Sequence, residues 1–83
     1  MASNGNGSLS SYKRGRLKVV RLPEGEAKVR LHTAGIKPGE IVEVLLSHTT
    51  PWGVVAVRTR YGLVIVEKRI AEEIKVEPVE GGN

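Results

Sequence analysis

The chain has 83 residues, a formal net charge of +4, 40% hydrophobic residues and neither cysteine nor phenylalanine. A chain this short buries only about 60% of its unfolded surface, which leaves room for one small domain and not for two. The missing thiols exclude thiolate metal sites, disulfide staples and cysteine nucleophiles. The longest aliphatic run, Leu63 to Val66, falls far short of the roughly 20 apolar residues of a membrane-spanning helix. With no apolar signal core at the N-terminus, a cytoplasmic address is expected.

Charge is carried by Glu, Lys and Arg alone, because Asp is absent, and Gln is missing too. Every Asn (Asn4, Asn6, Asn83) lies in a terminal segment. Such usage resembles that of heat-adapted proteins. The basic excess is local: residues 12 to 32 hold seven Lys or Arg against two Glu, a net +5, while residues 33 to 83 hold six against seven, a net −1. Lys13, Arg14, Arg16, Lys18 and Arg21 can serve as a patch for phosphates or an acidic partner. Equally, they can be the solvated charges that keep an edge strand from pairing with other chains.

Residues 1–11 are uncharged and rich in Gly, Ser and Asn, a composition that reads as a disordered tail. Leu17-Lys18-Val19-Val20-Arg21-Leu22 has the β-branched content of a first strand, with Leu17 and Val19 assigned to the core. Pro23 to Gly25 forms a turn. Ala27, Leu31 and Ala34 then recur at i, i+4 and i+7, which predicts a short amphipathic helix over 26–34 with Glu24 and Glu26 at its positive end. Gly35 suits the left-handed closure of that helix, with Ile36 packing back on Leu31. Pro38 and Gly39 occupy the second and third positions of a type II turn over Lys37 to Glu40. Val42, Val44 and Leu46 alternate with wetter positions as a second strand.

Ser47 to Gly53 reads as a polar hairpin connection. Val54 to Thr59 and Leu63 to Val66 flank Arg60-Tyr61-Gly62, expected to be a three-residue link with Gly62 left-handed. Glu67 to Glu73 favours one helical turn, with Ile70, Ala71 and Ile74 reaching the core. Ile74 to Glu77 alternates as a last strand that Pro78 is expected to end. The whole is mostly β. It reads as a small SH3-like antiparallel barrel of about five strands over 12–79, with a short helix after strand 1, a helical turn before the last strand, and residues 80–83 as a second disordered tail. Closure is expected because a flat sheet would leave one face of Val54 to Val66 wet.

No catalytic constellation assembles from these residues. There is no Asp or Cys, Ser47 is the one serine outside the N-terminal stretch, and His32 and His48 have no orienting partner at motif spacing. No metal ligand set and no cofactor are assigned; a transition-metal site would need Glu residues from other strands brought to a histidine. Gly5 and Gly7 imitate part of a phosphate loop without the flanking strand and helix. Trp52 and Tyr61 fall at predicted loop tips, with His48, Arg58 and Arg60 close to them in sequence. Aromatics so placed either anchor protein contacts at low entropic cost or, in the case of Trp52, fold over an open barrel end as a lid.

The stretch from Gly15 to Val79 resembles the ferrous iron transport protein A (FeoA) family. The matching landmarks are Leu9-Ser10, Gly-Arg-Leu-Lys-Val-Val-Arg-Leu at 15–22, Leu-His-Thr-Ala-Gly-Ile-Lys-Pro-Gly at 31–39, Val42-Glu43-Val44 and Ile-Ala-Glu-Glu-Ile-Lys-Val-Glu-Pro at 70–78. The same barrel is similar to the C-terminal domain of iron-dependent repressors of the diphtheria-toxin type. The FeoA resemblance implies a cytoplasmic, non-catalytic accessory of iron uptake. Its implied partner is the cytoplasmic part of the membrane GTP-binding transporter FeoB, with no small-molecule substrate, and homo-oligomers are left open. Trp52, His48, Tyr61, Arg58 and Arg60 are the residues assigned to partner contact. The alternative is a nucleic-acid-binding small barrel that uses the basic run from Lys13 to Arg21. Heat adaptation has a direct check: thermal unfolding is expected above the mesophilic range of about 45 to 65 °C, and a midpoint inside that range overturns it.

Overall fold

The structure, a computed structural model, describes residues 7–47 and 53–79. Six strands form one antiparallel sheet: β1 (Gly7–Ser8), β2 (Gly15–Arg21), β3 (Ile41–Ser47), β4 (Val54–Thr59), β5 (Gly62–Glu67) and β6 (Lys75–Pro78). Helix α1 (Glu26–Thr33) follows β2, and one turn of helix, α2 (Lys68–Ala71), follows β5. The spatial order is β1-β6-β2-β3-β4-β5, so the chain's two ends pair with each other and the middle runs as a meander. The sheet curls into an SH3-like half-barrel. It has two ends, β1 and β5, where full closure was expected.

One core accounts for the curl. Leu17 and Val19 of β2, Val42 and Val44 of β3, Val55 and Val57 of β4, Val66 of β5 and Val76 of β6 all point inward and are buried. Leu31, Ile36, Ala71 and Ile74 join them from the helices and turns. Register is held because a one-residue slip of any of these strands would turn its valines to solvent.

Two local expectations need correction. Residues 7–11 are not all tail: Gly7 and Ser8 pair with Val76 and Lys75, and Leu9, in a 3-10 turn from Leu9 to Ser11, is fully buried. The polar composition of 1–11 hid the one residue that matters, whose amide also donates to the Ile74 carbonyl at 2.9 Å. The β4–β5 link is shorter than expected, since Thr59 pairs directly with Gly62 and leaves only Arg60 and Tyr61 between them. Pro78, expected to end β6, is its last residue, opposite Leu17, and Val79 still donates to Arg16 at 3.1 Å. Proline is tolerated there because it takes the last position of the strand.

The helix end behaves as its residues dictate. The Ile36 amide bonds the Leu31 carbonyl at 2.9 Å and the Gly35 amide bonds that of His32 at 3.1 Å, the paired bonds of a Schellman ending. The next turn closes through Glu40 to Lys37 at 3.0 Å with Gly39 at φ 92°. It is then stitched to β2, where Gly39 donates to Val19 at 2.8 Å and Val19 donates to Glu40 at 2.9 Å.

Gly35 has φ 99°, and a Cβ there would lie 2.8 Å from Thr59 Oγ1 and 3.0 Å from Tyr61 Cδ2. Gly39 has the same backbone sign but open space around it. Gly39→Ala is therefore expected to cost about 1–2 kcal/mol from the backbone alone. Gly35→Ala adds an overpacking cost of about 1–3 kcal/mol. Urea unfolding of the two variants checks the difference, and equal losses would contradict the close approach.

Candidate docking surface

The tip of the β4–β5 hairpin is built by Thr59. Its hydroxyl donates to the Ala34 carbonyl at the end of α1 at 2.8 Å and accepts from the Tyr61 amide at 3.1 Å. Those two bonds tie the helix end to the hairpin and set the direction in which Tyr61 leaves it. The Tyr61 ring is 64% exposed, and the Arg60 guanidinium lies 5.9 Å from its centroid. Arg60 also reaches Glu40 at 3.4 Å, while Arg58 reaches Glu43, its cross-strand neighbour, at 3.3 Å. Ion pairs this exposed contribute about 0–1 kcal/mol and serve mainly to hold the side chains in place.

On β5 itself Leu63 and Ile65 are exposed, at 62% and 58%. Together with Tyr61 at the hairpin tip they add exposed apolar area of the kind that marks contact sites. Sequence reading places Leu63 to Val66 in one strand without dividing its two faces. The signal that could have separated them is the odd-numbered phase of Leu63 and Ile65, opposite to that of Val64 and Val66. Behind these residues, a cleft of about 250 Å³ opens between α1 (Ala27, Leu31, Ala34) and Val64, Val66 and Ile70.

Of the residues assigned to partner contact, Arg58, Arg60 and Tyr61 come together at this hairpin end. His48 and Trp52 lie outside the described residues. Their flanking positions, Ser47 and Gly53, sit at the other end of β4, roughly 15–20 Å away at about 3.3 Å per residue. The basic run is exposed throughout. In its strand portion Arg16 stands opposite Glu43 and Lys18 opposite Glu77, while Arg21 stands opposite Lys75. His32 is exposed on α1, and among the described residues no three His, Asp or Glu side chains converge as a metal site. Among the described residues no helix is long and apolar enough to cross a membrane.

Six strands curled over one aliphatic core, with a helix inserted after the first long strand, define a small SH3-like domain. The FeoA domain model matches residues 8–78, and the chain belongs to that family. It is similar to the solution structure of the FeoA protein from Chlorobium tepidum, with 26% identity and a TM-score of 0.75 over 92% of this chain and 73% of that one. A FeoA-like protein from Clostridium acetobutylicum aligns with 21% identity and a TM-score of 0.73, over 98% and 95%. The crystal structure of ScaR with bound Cd2+ shares the fold at 16% identity and a TM-score of 0.76, over 93% of this chain but 38% of that one. No curated protein sequence matches.

Thr59→Val is expected to cost about 1–3 kcal/mol, since it strands the Ala34 carbonyl and the Tyr61 amide without a partner. Thr59→Ser keeps both bonds and is expected to lose less than half as much. Urea unfolding checks the order, and a Val variant as stable as the Ser variant would rule the hydroxyl out as the tie.

Proposed function

We propose that the chain is a non-catalytic accessory or regulatory protein of ferrous iron uptake that acts by contact with the cytoplasmic part of a FeoB-type GTP-binding transporter. Membership in the FeoA family supports the iron-transport setting. The observation that carries the contact reading is the exposed apolar set of Tyr61 at the hairpin tip and Leu63 and Ile65 on β5, with Arg58 and Arg60 nearby. Nothing about that set suits chemistry on a substrate. It lacks a nucleophile beside a base, whereas a rigid aromatic beside guanidiniums is the composition in which contact hot spots are enriched. In this reading the protein works in the cytoplasm, without a cofactor of its own.

His48 and Trp52 stay in the proposal as contact residues on the strength of the sequence alone, apart from the hairpin surface. Titration of the purified transporter domain with the full chain is expected to give binding at tens of micromolar or tighter. Tyr61→Ala is expected to weaken it at least tenfold with an unchanged melting midpoint, because the ring is largely exposed and contributes little to the core. Absence of any binding at that concentration, together with unaltered iron uptake when the gene is deleted, overturns the assignment.

A further inference from the structure

Among the described residues, β5 is the end strand of the sheet, with β4 as its only strand neighbour. Because Thr59 pairs with Gly62 across a two-residue link, bonded pairs alternate from there: 59 with 62, 57 with 64 and 55 with 66. The amides and carbonyls of Leu63, Ile65 and Glu67 therefore point away from β4, toward the open edge. Side chains of the same residues form the exposed row on the outer face. On the inner side the edge is bordered by the cleft of about 250 Å³ against α1, a helix of which only Leu31 is buried.

We propose that the free edge of β5 and the slot beside α1 form a strand-addition site that takes an uncharged, aliphatic-rich extended segment of a protein partner. The inference rests on the contact reading above and names its mode: backbone pairing along β5, with one or two aliphatic side chains seated between Ala27, Leu31, Val64 and Ile70.

Charge and area select this occupant. The four arginines bordering the site each have a carboxylate partner: Arg30 has Glu26 at 3.9 Å, Arg58 has Glu43 at 3.3 Å, Arg60 has Glu40 at 3.4 Å and Arg69 has Glu67 at 3.2 Å. The rim presents balanced charge, so its complement is an uncharged segment, not an acidic or basic one. A second copy of the chain is disfavoured on size. Three side chains about 60% exposed offer a few hundred Å² at most, against about 800 Å² per partner in a stable globular interface.

The test follows amide hydrogen exchange in the isotope-labelled full chain, using as probe an acetylated and amidated hexapeptide of alternating valine and threonine. Peptide is expected to slow exchange at Leu63 and Ile65 at least tenfold, because their amides gain acceptors. Ala27→Gln fills the slot from the helix side without adding charge and is expected to weaken peptide binding at least tenfold at an unchanged melting midpoint. Exchange at Leu63 and Ile65 that is unaltered at millimolar peptide overturns the proposal. So does slowing that follows protein concentration without peptide, which would make the occupant a second copy. If the transporter domain binds and leaves these two amides unprotected, strand addition falls while the accessory reading stands. If the peptide protects them and the transporter domain does not bind, the slot stands and the transporter assignment falls.

Discussion

The approach of Gly35 to Thr59 is the constraint on which the rest of this small domain depends. The helix must end, reverse and hand the chain to β3 within a few residues. The end it presents is a row of backbone carbonyls that need donors. Thr59 supplies one from the end of β4, and it reaches the Ala34 carbonyl because the next residue has no side chain. The same hydroxyl receives the Tyr61 amide, so the tie that closes the helix also sets the tip of the hairpin. Fold and candidate surface are thereby two consequences of one contact.

That contact explains why α1 stays beside β5 although so little of it is buried. The helix is held at its C-terminal end by the Schellman bonds and Thr59 and by Leu31 in the core. The remaining turns stand off the sheet and leave the cleft. A helix fixed at one end and a strand with an open edge make a slot whose walls already exist before anything enters. Binding then costs little reorganisation of the chain itself. The buried valines of β2, β3 and β4 hold the curl that carries the rim.

Much of the local structure was legible because the interactions responsible span only a few residues. Gly35 followed by Ile36, and Pro38 followed by Gly39, could be read as a helix stop and a type II turn from backbone sterics alone. The alternation of Leu17 with Val19 and of Val42 with Val44 placed those side chains inward. The misreadings have a common cause. Leu9 sits in a stretch whose composition argues for disorder, and only its long-range partners Ile74, Lys75 and Val76 make it ordered. Leu63 and Ile65 stand in an aliphatic run that does not name its buried face, and the packing of Val66 into the core leaves them on the outer one. Gly62 has the positive φ its sequence position suggests, at 128°, but its pairing with Thr59 makes it the first residue of β5 and not a link residue.

The amino-acid sequence by itself determined one small cysteine-free domain, the helix between two turns, the phase of the inner valines and the kinship carried by Leu31 to Gly39. These follow from sterics, periodicity and composition, which act within a few residues. Tertiary structure alone decided that the N-terminal stretch pairs with β6, that β5 is left without an outer neighbour and that Arg58, Arg60 and Tyr61 meet Glu43, Glu40 and the end of α1. Each of those outcomes depends on residues far apart in the chain competing for the same neighbours, and no local pattern records which of them prevails.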